Sequence, residues 1–310
     1  MIRRWTLSGD PRGVAIGADG TVYVGLAQSQ SVAAINPATG AVKKQIVLDS
    51  AEIAATKELV TLRTNADRSR LYIANGSDES ALILSLPDLA VLREITMEGE
   101  RIRDAIPDPK GRYLYLLGRR VHVYDAEGDT ELRTLPIEEP MTMATSANGA
   151  TLAVFGTEDF GSVKATSVTL FDTKTFRVIA REPMQTQKAI ESATFAAGDR
   201  SLVAFSRDSL FEKAVISRRD LVNVNRICLP EGSGPQIATL TDSDTLLVYG
   251  ERRCSASGAF SGSSRGVTPA SLYGVNAYAL AFDPKTGSLV ATDRAGFLTI
   301  YHVPRPVLAR

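Results

Sequence analysis

A chain of 310 residues, 44% of them hydrophobic and 23% charged, has the make-up of a folded globular protein. No stretch approaches the roughly 18 consecutive apolar residues of a membrane span. Lysine plus arginine and aspartate plus glutamate stand at 35 each, with a pI near 6.8, so the positive field that gathers nucleic acid or anionic lipid is missing and neither partner is expected. Cys228 and Cys254 are too few for a disulfide framework and wrongly spaced for zinc; as two inert thiols or as one disulfide they leave the compartment open.

In chain order, Met1 to Leu7 holds two arginines with no apolar run behind them, so no signal peptide is expected. As written the chain reads as cytoplasmic, or as periplasmic or secreted if a leader has been removed. Ile2–Leu7 alternates apolar and polar residues, as a strand does. Val14–Ile16, Thr21–Leu26, Val32–Ile35 and Val42–Leu48 then read as four short strands, with Ala18-Asp19-Gly20 and Asn36-Pro37-Ala38-Thr39-Gly40 as turns. Asp49 to Ala55 has an N-cap aspartate with glutamate three residues on and predicts either a short helical turn or an irregular loop.

The second strand of this first group returns along the chain as GTVYVG, RLYIAN, YLYLLG, TLAVFG, SLVAFS, TLLVYG and SLVATD. Its first core-facing residue is Val22, Leu71, Leu114, Leu152, Leu202, Leu246 and Leu289 in turn, a spacing of 38 to 50 residues. That period is the one expected of four strands per unit, and seven units predict an all-β, seven-bladed β-propeller of four-stranded antiparallel blades. The blades fall near 11–48, 59–97, 102–137, 141–184, 190–229, 236–275 and 277–303, in one domain of 310 residues. The last unit supplies only Tyr278–Phe282, Ser288–Thr292 and Gly296–Val303, so residues 2–7 are expected to complete blade seven and close the ring. A monomer is expected.

The a-to-b turns, rich in Asp, Asn and Gly, carry turn chemistry. Stretches 156–166, 206–213 and 250–271 read as long b-to-c loops in blades four to six, on the face where binding tends to gather. Residues opening each first strand should ring a channel mouth, among them Arg12, Lys57, Arg103, Asp104, Glu191, Gln236 and Tyr278. Arg207, Arg252, Arg253 and Arg294 come from the loop face. These groups either receive an anionic ligand or pair with acids on the same rim.

His122 and His302 lie inside third strands and read as ordinary polar strand residues, so no base is placed beside a nucleophile. Gly262-Ser263-Ser264-Arg265-Gly266 matches G-x-S-x-G but lacks the strand-to-helix elbow that gives the pattern its chemistry. Asp104, Glu191 and Asn276 could meet a hard cation, yet nothing in their spacing singles them out. No catalytic residue, metal or cofactor is expected.

Leu71-Tyr72-Ile73-Ala74-Asn75-Gly76 resembles the signature of YVTN-repeat propellers, with Val22-Tyr23-Val24 and Leu114-Tyr115-Leu116 as degenerate copies. The resemblance implies a bacterial or archaeal propeller, related in fold to the large subunits of quinoprotein amine dehydrogenases and to lactonase-type propellers. No catalytic motif carries over. The reading that follows is a binding or protein-interaction scaffold, for a protein partner or a small anionic ligand. Its alternatives are a lactonase-like hydrolase with a channel-mouth site, or a scaffold subunit of a periplasmic quinoprotein complex.

Overall fold

In the computed structural model the described residues are 3–48, 61–74, 79–160, 163–184, 189–196, 199, 201–206, 209–217, 220–228, 236–239, 245–249, 258–261, 270–271, 277–283, 285–293 and 295–302. Every element among them is a β-strand. The chain opens with β1 (Arg3–Thr6). A first sheet follows from β2 (Pro11–Ile16), β3 (Val22–Leu26), β4 (Ser31–Ile35) and β5 (Val42–Val47). The second is β6 (Thr61–Thr64), β7 (Arg70–Ala74), β8 (Ser80–Ser85) and β9 (Val91–Thr96), and the third β10 (Asp104–Pro107), β11 (Tyr113–Leu117), β12 (Val121–Asp125) and β13 (Glu131–Leu135). The fourth is β14 (Pro140–Thr145), β15 (Thr151–Phe160), β16 (Val163–Asp172) and β17 (Val178–Pro183). The fifth is β18 (Ile190–Ala196), β19 (Ser201–Ser206), β20 (Ser209–Ser217) and β21 (Asp220–Cys228), and the sixth β22 (Gln236–Thr239), β23 (Thr245–Tyr249), β24 (Gly258–Ser261) and β25 (Ala270–Ser271). Last come β26 (Ala277–Asp283), β27 (Ser288–Asp293) and β28 (Phe297–His302).

The seventh sheet is finished by the other end of the chain. β1 runs antiparallel to β28, with Arg3 opposite Ile300 and Thr6 opposite Phe297, giving the order β1-β28-β27-β26. The expected closing strand is therefore present, shorter by a residue at each end. All seven sheets are four-stranded meanders.

The chain divides into two compact units, residues 1–134 with 278–302, and residues 135–277 with 303–310. In the first unit the strand period explains how neighbouring sheets adhere. Successive residues of a strand face opposite ways, so each second strand serves two interfaces. Leu71 and Ile73 of β7 join Tyr23, Val32 and Ala34 of the first sheet, while Tyr72 and Ala74 join Leu114 and Leu116 of the third and Ile102 just ahead of it. Val22 and Val24 pack likewise with Val290 and Leu298 of the last sheet. The repeating phrase is thus the record of two contacts, one per face. Its core-facing residues Val22, Leu71, Leu114, Leu152, Leu202 and Leu289 are all at most 2% exposed. In the second unit Ala153, Phe155 and Leu170 of the fourth sheet meet Ile190, Phe195 and Leu202 of the fifth.

The a-to-b turns are tied by their own acids and amides. Asp19 Oδ1 accepts from the Thr21 amide at 2.9 Å, Asp67 Oδ1 from that of Ser69 at 2.9 Å, and Asn148 Oδ1 from that of Ala150 at 2.8 Å. This is the turn chemistry expected of them.

Two of the long loops are strand instead. Residues 156–160 continue β15 and 163–166 belong to β16, paired antiparallel down to Phe160 opposite Val163. β14 pairs only as far as Gly156 and β17 only as far as Ser167, so Glu158/Ala165, Asp159/Lys164 and Phe160/Val163 stand out as a two-stranded ribbon beyond the four-stranded sheet. The stretch reads as loop because Thr157, Glu158 and Asp159 are polar in succession, with no alternation to mark a strand. In blade five β19 reaches Ser206 and β20 begins at Ser209, which pair with each other. Stretch 250–271 contains β24 and the start of the β25 pairing, with Gly258 opposite Ser271. The possible helical turn at Asp49 to Ala55 lies outside the described residues.

Candidate functional site

Of the residues expected at the channel mouth, Arg12, Arg103 and Asp104 are bonded within the chain. Arg12 turns its Nε and Nη2 onto Asp10 Oδ2 at 3.0 and 2.8 Å. Arg103 donates from Nη2 to the Gly118 carbonyl at 2.7 Å; burial pulls its guanidinium pKa down, opposed by the carboxylate of Glu100. Asp104, buried, holds Arg63 through both oxygens at 3.0 and 3.4 Å. The Thr61 hydroxyl donates to the Arg103 carbonyl, so Arg63, Arg103 and Asp104 meet where β6 and β10 run side by side. Glu191 is exposed at a shift of register between Ile190 and Ser192, and Arg12 sits at a similar shift between Pro11 and Val14. Such bulges re-aim a side chain at a strand end. Gln236 begins β22 and Tyr278 lies in β26. The side chains of those two, and all of Lys57, Arg207, Arg252, Arg253 and Arg294, lie outside the described residues, as do the Cys228 side chain and Cys254.

His122 is clamped. On β12, its Nδ1 lies 2.8 Å from Glu131 Oε1 and its Nε2 3.2 Å from Glu100 Oε2. Each ring nitrogen thus has a carboxylate within hydrogen-bond reach, and the two contacts fasten β12 to β13 and to the loop before β10. Burial pushes the Glu131 pKa up, but hydrogen bonds from His122 and Thr134 outweigh it and hold the carboxyl below its usual range. Glu100 Oε1 also accepts the Arg120 amide at 2.9 Å, closing the b-to-c connection of the third blade. The ring's two nitrogens are thereby spent on structure.

A cavity of about 510 Å³ opens where the first and last sheets adjoin, on the face of the turns. Ile16, Val22, Val290 and Ile300 form its apolar floor; Arg3, Asp19, Asp283 and His302 are polar groups around it. Asp283 is 4% exposed and ringed by donors: Arg68 Nη1 at 2.9 Å, Thr286 Oγ1 at 2.8 Å and the Lys285 amide at 3.3 Å. Burial raises the Asp283 pKa, but the bonds from Thr286 and Arg68 prevail and keep the carboxyl ionised. Asp19 receives the Thr21 amide and hydroxyl at 2.9 and 2.7 Å, with Lys43 3.9 Å away. Beside them the Tyr23 hydroxyl is pushed up to about 12 by burial and by Asp19 and Asp88. Sequence reasoning missed this cavity. Its acids read as turn residues and Arg3 as part of a closing strand, and no local pattern says that three such places converge.

No protein-family model matches the chain, and no curated protein is similar to it in sequence. Solved structures are similar in fold. A chain in the crystal structure of the mitotic checkpoint complex is 15% identical, over 97% of this chain and 91% of that one, with a TM-score of 0.74. A chain of Kuenenia stuttgartiensis hydrazine synthase is 14% identical, over 95% and 96%, with a TM-score of 0.76. The Cps50 (Swd1) β-propeller domain of Myceliophteria thermophila is 15% identical, over 98% and 100%, with a TM-score of 0.71. The fold is a β-propeller. At these identities the likeness speaks for the blades of this propeller and for nothing of its chemistry.

Proposed function

We propose that this propeller is a non-enzymatic scaffold that engages a protein partner on its b-to-c face, with the blade-four ribbon as the chief contact. The overhang of that ribbon carries the reading. Asp159/Lys164 and Phe160/Val163 pair with each other, and among the described residues no third strand pairs with them at either edge. Such edges accept an added strand from another chain. The ionic groups Arg12, Arg103 and Asp104, bonded within the chain, favour this over a small-molecule site at the mouth. A similar chain comes from an assembly called a checkpoint complex, which fits a scaffold role. The Leu71–Gly76 phrase supports kinship with YVTN-repeat propellers.

Replacing residues 159–164 by Asn-Gly tests the ribbon. Glu158 keeps its bonds from Thr169 and Arg181, and a two-residue turn closes the shortened hairpin. The melting temperature should stay within about 3 °C while capture of the wild-type partner is lost. A trimmed chain that captures the same partner equally well would sink the proposal. Elemental analysis separates the hydrolase reading, which requires a stoichiometric divalent ion in the purified protein.

A further inference from the structure

The cavity between the first and last sheets has the size, floor and rim of a small-molecule site. We infer that it binds an organic monocarboxylate with an apolar body, the carboxylate on Arg3 and the body on the floor. Its volume of about 510 Å³ falls within the usual span of ligand pockets, and such pockets combine apolar walls with a few placed polar groups. Ile300, half-buried, gives the floor its open apolar surface, and Val22 and Val290, each 1% exposed, and Ile16, 5%, belong to the packed core beneath it.

Charge decides the ligand class. The two acids are matched inside the protein, Asp283 by Arg68 at 2.9 Å and Asp19 by Lys43 at 3.9 Å. Among the charged residues of the lining, Arg3 is the one whose partner is neutral. Arg3 is bonded to the Ala38 carbonyl through Nη1 at 3.3 Å, a partner without net charge that occupies one of five N–H groups. The remaining fork suits a carboxylate bidentately. The register of β1 fixes its position. Arg3 lies opposite Ile300, which lines the floor, and His302 stands at the exposed end of the same partner strand. An ammonium ligand would meet Arg3 with like charge, and an alcohol would leave the guanidinium's charge unmatched.

Octanoate is the probe, with octanol and octylamine as matched chains of other charge. Trp5 is the single tryptophan and lies two residues from Arg3 on the same face of β1, so its fluorescence reports on the site, and calorimetry measures affinity independently. Octanoate should bind saturably below about 10 mM and at least tenfold more tightly than either control. Arg3→Gln, at an exposed position, should weaken octanoate about tenfold or more. Ser288→Phe, which fills the cavity from a strand position, should abolish binding with the circular dichroism unchanged. Octylamine binding as tightly as octanoate, Arg3→Gln binding it undiminished, or no saturable signal up to about 10 mM would each overturn the inference.

Discussion

Two residues stand in the place of glycine. In the a-to-b turns of blades three and four the residue three before the core-facing leucine is Gly111 or Gly149, at φ of 65 and 62°. Blades two and five put Arg68 and Asp199 there, at 59 and 66°. A side chain in this region costs about 1 kcal/mol, so each needs a return. Arg68 reaches Asp283 of blade seven, and the Asp199 carboxylate accepts the Ala147 and Asn148 amides of blade four at 2.7 and 3.0 Å. The side chain that strains the turn is the one that ties it to another blade. Asp283→Asn should accordingly destabilise the protein by about 2–4 kcal/mol at pH 7, because Arg68 loses its charged partner in a mostly buried place. The folded pKa of Asp283 is depressed, so its stabilisation is full above the unfolded value near ~3.9 and is lost as pH falls through the lower folded value. Denaturant titrations of the two proteins should therefore begin to converge as pH falls below about 4 and meet only below the folded value; a gap that does not narrow over that fall would show that the loss was not electrostatic. Gly40 makes the complementary case. At φ of 74° with the Trp5 ring against it, it has no room for a methyl group. Gly40→Ala should cost more than about 2 kcal/mol and shift Trp5 emission to the red, both read in one urea melt.

Among the elements, β1 is the most exposed to loss. Its residues are mostly solvent-facing, yet it covers the edge of β28, and Trp5 and Leu7 lie against the core of the adjoining sheets. Deleting residues 1–8 should bare that edge and yield soluble aggregates on size exclusion with a lower melting temperature; a monomer melting as before would refute the role given to β1. Strand order was legible here because alternation in Ile2–Leu7 and the missing fourth strand of the last unit point to one another. The second strands were legible for a different reason: both faces are buried, so Leu71-Tyr72-Ile73-Ala74 is apolar throughout and stands out from polar turns. The blade-four ribbon and the fifth-blade hairpin were not, since their pairing depends on a partner strand and leaves no hydrophobic trace of its own. The bulges at Arg12 and Glu191 escaped likewise, being matters of register.

At the scale of the molecule, the repeat fixes the number and make-up of the sheets, and the departures from it set up the two candidate surfaces. The ribbon adds residues to one blade. The cavity adds none: it arises where the sheet assembled from β1 and β26–β28 adjoins the first, so its residues come from 3 to 38 and from 283 to 302. This is why spacing could reveal the blades and not the pocket. The same junction has a consequence during synthesis. Arg3 leaves the ribosome nearly three hundred residues ahead of its partner Ile300, which at about 5–20 residues per second is roughly 15–60 s. Through that interval β1 waits without β28 while the blades between them form, and any chaperone that attends the nascent chain has its longest task there.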